Sequence, residues 1–211
     1  MHLPDGFISP QLALPAYAVA APLWAWAARR HFGRAATESL PVIGSLTALA
    51  FVVQTIMIPV PGGTSTHLVG VMLLALLFNP LVAFACESLV LLVQALFLGA
   101  GGITVLGLNA LAMGLLGPLA GWLAWKLARR FSERVALFLA GWVSMQVATL
   151  VVVGALGLQY RLDPGYFPVP LAVTATGLLV PSLAVAGVVE GLYTVFAFSL
   201  VRKAGFRGVE A

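Results

Sequence analysis

Charge is nearly absent from this chain, and what there is sits in short clusters between long apolar runs. Charged residues make up 9% of the 211 and hydrophobic ones 61%. A soluble domain carries about 25% charged residues, so most of this surface must face lipid. Within hydrocarbon every main-chain amide has to be satisfied internally, which leaves helices and closed barrels. Barrel strands would alternate apolar and polar residues over segments of about 10 positions; these runs are continuous and rich in Ala, Leu, Val and Gly. The expected fold class is an all-α polytopic membrane protein, a single integral membrane domain over 1–211.

A crossing needs about 20 apolar residues, and the candidates are roughly 12–28, 40–59, 66–78, 81–98, 103–125, 135–158 and 171–201, about seven transmembrane helices. Arg29, Arg30 and Arg34 follow the first; Lys126, Arg129, Arg130 and Arg134 follow the fifth; Arg202, Lys203 and Arg207 follow the last. Ten of the 11 basic residues then share one side, and the exception, Arg161, has Asp163 nearby. The positive-inside rule puts the N-terminus outside and the C-terminus inside. Residues 1–11 are expected as an inward-folded segment, 12–201 as the helical bundle and 202–211 as a cytoplasmic tail. The net charge of +4 thus reports topology, with no face for nucleic acid. The single cysteine, Cys86, permits neither a disulfide framework nor a Cys-based metal site.

Two spans are irregular. Thr66 to Phe78 is 13 residues long, roughly 20 Å of helix against a hydrocarbon core of about 30 Å, so its outer end should be sunken. Asn79-Pro80 is a turn signal, and 66–98 could equally form a re-entrant hairpin, which the charge rule does not distinguish. Pro181 predicts a kink in the last span.

On this topology the outer side collects the N-terminal hexapeptide, the loop from Pro59 to His67, the turn Gly99–Gly102 and the loop at Asp163. No charged leader or small-residue cleavage site precedes the apolar sequence, so Met1 is expected to begin the mature chain. The bulk of His2 should let Met1 keep its free amine. That amine, the His2 main-chain nitrogen and His2 Nδ1 can close fused five- and six-membered chelate rings around one metal ion. His67, recessed at the head of the short span, can supply a fourth nitrogen. Four nitrogens in a plane suit Ni²⁺ or Cu²⁺, whereas Zn²⁺ prefers a tetrahedron; Co²⁺ also fits. The bland alternatives are a solvated His2 and a helix-start His67. His31 lies among the inner arginines and belongs with that cluster.

Several other residues bear on such a site. Pro4-Asp5-Gly6 is a turn sequence that would fold the tail inward, and Gly62 and Gly63 allow close main-chain approach. Glu87 and Glu190 are the carboxylates inside apolar runs, a functional signal by default, although a hydrogen-bonded structural role is favoured. Gln94, Thr104, Asn109 and Gln146 are expected to bond between helices, with Asn109 best placed to reach the site. Ala16/Ala20 and Ala21/Ala25 form small-residue faces for internal packing or for another subunit.

Met1-His2-Leu3-Pro4-Asp5-Gly6-Phe7, Val60-Pro61-Gly62-Gly63-Thr64-Ser65-Thr66-His67-Leu68, Gln94 to Phe97, Gly101 to Asn109, and Glu190-Gly191-Leu192 together resemble the CbiM/NikM family. These proteins are the substrate-binding membrane components of energy-coupling factor transporters for cobalt and nickel. The resemblance implies a seven-helix subunit in a prokaryotic cell membrane. Its metal would be bound by Met1, His2 and His67, with Asp5, Gly6, Gly62, Gly63, Thr64, Ser65 and Asn109 in support. It implies a membrane coupling subunit, cytoplasmic ATPases of the ATP-binding-cassette type and a small accessory membrane protein as partners. It implies no cofactor beyond the transported Ni²⁺ or Co²⁺. The chain has no phosphate-binding Gly-x-x-x-x-Gly-Lys loop of its own, so ATP must be hydrolysed elsewhere and the chain is not itself an enzyme. Coordination preference leans to nickel. The rival functions are capture of an organic substrate and an intramembrane metalloenzyme; for the second, no His-Glu-x-x-His motif exists.

Overall fold

The computed structural model describes residues 2–32, 39–60 and 64–206, with main chain alone at 58–60 and 64–66. Seven helices are present among them: α1 (Pro10–His31), α2 (Leu40–Gln54), α3 (Met72–Leu77), α4 (Pro80–Phe97), α5 (Leu106–Ala128), α6 (Glu133–Leu162) and α7 (Leu171–Lys203). Four of them, α4 to α7, are long and apolar enough to cross a membrane. Proline begins α1 and α4, where its missing N–H and fixed φ cost nothing. Asn79 caps α4, its Oδ1 accepting from Leu81 N and Val82 N at 3.0 Å.

The sequence expectation fails in the middle of the chain. Helix α2 has 15 residues and stops at Gln54, short of the expected end at 59. The stretch expected to loop from Pro59 to His67 instead forms an antiparallel ribbon, β1 (Ile58–Val60) with β2 (Thr64–Thr66), pairing Ile58 with Thr66 and Val60 with Thr64. β-Branched residues suit the pleated backbone. The expected span 66–78 reduces to the six residues of α3, entered through the non-helical stretch 67–71. Apolar all round, α3 has no face for solvent and is buried against α2, α4, α5, α6 and α7.

Two long helices loosen into π turns, Ala110–Leu116 in α5 and Ser182–Ala186 in α7. The second follows Pro181, at the predicted kink. Polar groups of α6 occupy this site: Gln146 Nε2 donates to Ser182 O at 3.1 Å, and Ser182 Oγ bonds Gln146 Oε1 at 3.0 Å and Thr149 Oγ1 at 2.9 Å. Main-chain groups freed inside a bundle are tolerated when neighbouring helices supply partners.

Two contacts orient the bundle. Ser9, at the head of α1, bonds Gln159 near the tail of α6, and Tyr17 of α1 bonds Ile103 O just before α5. The start of α6 meets the end of α7 through Glu133 and Arg202. Lys126, Arg129, Arg130, Arg202 and Lys203 therefore gather at the end opposite the N-terminal segment. In α1, Ala16 and Ala20 pack inward, while Ala21 and Ala25 remain exposed.

Candidate metal-binding site

Residues 2–9 enter the bundle as a short arm. Phe7 N bonds Pro4 O at 3.4 Å and Gly6 takes φ +86°, so Pro4-Asp5-Gly6-Phe7 is a reverse turn that needs glycine at its third position. The turn lets both Leu3 and Ile8 be buried. Asn109 holds Leu3 as a neighbouring strand would, its Oδ1 accepting from Leu3 N and its Nδ2 donating to Leu3 O, each at 3.0 Å. The Asp5 carboxylate accepts from Ile103 N at 3.3 Å, Thr104 N at 2.9 Å and Thr104 Oγ1. Ser9 N donates to Gln159 Oε1 at 2.8 Å. The arm crosses the turn at Gly101 and Gly102, where side chains are excluded. A Cβ on Gly101 would lie 3.3 Å from His2 Cβ, and one on Gly102 would lie 2.5 Å from Asp5 N.

This docking sets the His2 ring against His67, with ring centroids 4.4 Å apart and planes tilted by 31°. Both side chains are buried, at 4% and 2% exposure. Burial lowers the His2 pKa to about 3, so near neutral pH it is an uncharged imidazole able to ligate. His67 Nδ1 lies 2.7 Å from Leu68 O. A carbonyl only accepts, so Nδ1 carries the hydrogen and Nε2 presents its lone pair. That Nε2 is buried with no hydrogen-bond partner among the described residues.

The main chain just after His67 is held from three helices. Glu190 of α7 accepts from Val69 N at 2.8 Å and Gly70 N at 2.9 Å. Gln54 of α2 donates to Val69 O and to Glu87 of α4, each at 2.8 Å. All three side chains are at most 1% exposed.

The structure thus brings together His2, His67, Asp5, Gly6 and Asn109. Met1, Gly62 and Gly63 lie outside the described residues. Thr64 and Ser65 are placed by main chain only, in β2. Thr104 and Gln146 both bond across the fold, but Gln94 does not: its buried amide has no hydrogen-bond partner among the described residues. Gln54 and Gln159 join these residues; each is a polar side chain within or closing an apolar run, the same signal that marks Asn109. Among the described residues no group of three or more His, Cys, Asp or Glu side chains could hold a metal. An ion between His2 and His67 would therefore need donors beyond such side chains. A lateral apolar groove of about 430 Å³ between α2 and α4, lined by Phe32, Phe51 and Cys86 among others, includes neither histidine.

Long apolar helices around two apposed, buried imidazoles describe a multi-pass membrane protein. Residues 2–207 match the family described as "Cobalt uptake substrate-specific transmembrane region", and the chain belongs to it. It is 35% identical over 205 residues to a protein of Methanocaldococcus jannaschii named for metal transport, covering 96% of this chain and 92% of that one. It is 32% identical over 206 residues to the fused nickel transport protein NikMN of Rhodobacter capsulatus, covering 92% of this chain and 59% of that longer protein. A crystal structure of a truncated transition metal transporter superposes with a TM-score of 0.91 at 31% identity, over 97% of this chain and 99% of that one. These relatives are transporters, and the chain is a membrane component of metal uptake rather than an enzyme.

Proposed function

We propose that this chain is the substrate-capturing subunit of an ATP-driven importer of the energy-coupling factor type, and that it carries Ni²⁺ or Co²⁺. The ion sits between the arm and the bundle, bound by the Met1 amine, the His2 main-chain and ring nitrogens and His67 Nε2. The apposed buried rings of His2 and His67, with Nε2 of His67 left unbonded, carry this assignment. Four nitrogens in a plane suit Ni²⁺, which takes square-planar geometry, and this gives nickel the edge over Co²⁺. The basic end of the bundle faces the cytoplasm, with the arm outside, by the positive-inside rule. There a membrane coupling subunit and cytoplasmic ATPases would supply the energy, with a small accessory membrane protein assisting.

The test is to add one residue before Met1, or to acetylate its amine, and to titrate the protein with Ni²⁺ and Co²⁺. Affinity should collapse, because the terminal amine and its chelate ring are lost. Unchanged affinity removes the amine from the ligand set. Preference for an organic ligand over either ion would return the histidines to a structural role.

A further inference from the structure

An ionisable carboxylate in the interior of a membrane protein is costly to keep, and among the described residues Glu190 has no basic side chain as a hydrogen-bond partner. It bonds two consecutive main-chain amides, Val69 N and Gly70 N, 120 residues away in sequence or more. Gly70 sits at φ +71°, a conformation that favours glycine, so no regular helix or strand could satisfy these amides locally. The more telling geometry lies in the first of the two peptides. The amide that donates to Glu190 is Val69 N–H, and the carbonyl of that same peptide bond is Leu68 C=O, which accepts from His67 Nδ1 at 2.7 Å. A peptide unit is planar and stiff. Fixing its N–H therefore fixes the direction of its C=O, and with it the imidazole that the carbonyl holds.

We propose that Glu190 is the positioning residue for His67, acting through one rigid peptide: carboxylate to Val69 N–H, Leu68 C=O to His67 Nδ1–H, and Nε2 to the ion. This arrangement resembles the carboxylate–histidine pairs that orient metal ligands and raise their basicity, with a peptide unit inserted between the two side chains. Aligned hydrogen bonds along such a chain polarise one another, so the carboxylate also strengthens Nε2 as a donor. Gln54 and Glu87 play a different part. Gln54, which also donates to Glu87, holds Val69 O, and that carbonyl belongs to the next peptide rather than to the one the imidazole grips. The proposal rests on His67 being a metal ligand.

The experiment compares the full chain, reconstituted in lipid nanodiscs, with Glu190→Gln, Glu190→Ala, Glu133→Gln and His67→Ala. Each is titrated with Ni²⁺ by calorimetry and by its ligand-field absorption. Losing an outer partner of a metal-bound histidine costs about 10–100-fold in affinity. Glu190→Gln, which keeps the volume and one acceptor, should fall near the lower figure, and Glu190→Ala near the upper one. The absorption band should move in both, while Glu133→Gln, at the exposed far end of the bundle, keeps the wild-type affinity and band. Adding Glu190→Gln to His67→Ala should cost no further residual affinity, since the two act through one ligand. Should the Glu190 variants lower the melting temperature yet bind Ni²⁺ with wild-type affinity and band, Glu190 serves the fold alone and the proposal is overturned. Additive losses in the double variant overturn it too. If the wild-type chain binds neither Ni²⁺ nor Co²⁺, the metal assignment itself fails and this inference falls with it. Normal wild-type binding beside an unaffected Glu190→Gln sinks the inference alone.

Discussion

The two histidines are presented by segments of opposite kind. His2 rides on an arm that is a guest in the bundle, held by side chains reaching its main chain from outside: Asn109 at Leu3, Gln159 at Ser9, and a return bond from Asp5 to Thr104 at a partly exposed edge. His67 rides on a stretch that is part of the frame. It runs into the buried helix α3 and is gripped by Glu190 and Gln54 at its core. The arm is anchored by those side chains and by the buried Leu3 and Ile8, whereas the His67 stretch is continuous with a buried helix. On the proposed ligand set, whatever undocks the arm should lower metal affinity.

The comparison is broken most severely at the floor the arm crosses. Gly102→Val would put a side chain onto the Asp5 main chain, which has no room to retreat while Asp5 holds Thr104. The arm should undock, removing every ligand it carries, so Ni²⁺ binding should disappear from micromolar titrations while the helical circular dichroism stays intact. Retained binding would show that the arm's path is unimportant.

A graded version acts on Leu3. Asn109→Ala leaves the buried Leu3 N–H and C=O without partners, at about 1–3 kcal/mol each. Every 1.4 kcal/mol is about tenfold in affinity, so Ni²⁺ binding should weaken by about one to four orders of magnitude. Asn109→Asp keeps the acceptor for Leu3 N–H but sets a second oxygen against Leu3 O, and should not restore wild-type binding. Equal affinities for all three proteins would mean that the arm docks independently of Asn109.

The same division explains what could be read from the chain beforehand. The long helices were legible because lipid demands long apolar runs: 135–158 became Glu133–Leu162 and 81–98 became Pro80–Phe97. The centre was not. An apolar run does not distinguish a spanning helix from buried irregular chain, so α2 is shorter than its apolar run, α3 is about half of its own, and the ribbon at 58–66 has no separate signature. Around the candidate site, Asn109 and Asp5 stood out as polar residues beside a glycine turn. The partnership of Glu190 with Val69 and Gly70 had no local signature, because nothing in one sequence pairs a carboxylate with amides 120 residues away. Gln94 carried the same signal as Asn109 and has no comparable bond among the described residues, so a polar residue in an apolar run marks a candidate without naming its partner.

The smallest expected effect is on pH. In the docked arm His2 has a pKa of about 3, lowered from 6.5 by burial. Undocked, it returns to the higher value, so between the two the released arm binds the proton and the docked arm does not. Docking of the metal-free protein is therefore undisturbed above about pH 6.5 and weakens as pH falls toward 3. The loss is about 1.4 kcal/mol, or tenfold, per pH unit within that window. The hydrogen-exchange protection factor of the Leu3 amide, corrected for its intrinsic rate, should be level from pH 8 to 6.5 and fall about tenfold by pH 5.5. The amides of Val69 and Gly70, held by the frame, should keep their protection over that interval. Parallel loss at all three amides would show that arm and frame open as one unit, and the division between guest and host would not hold.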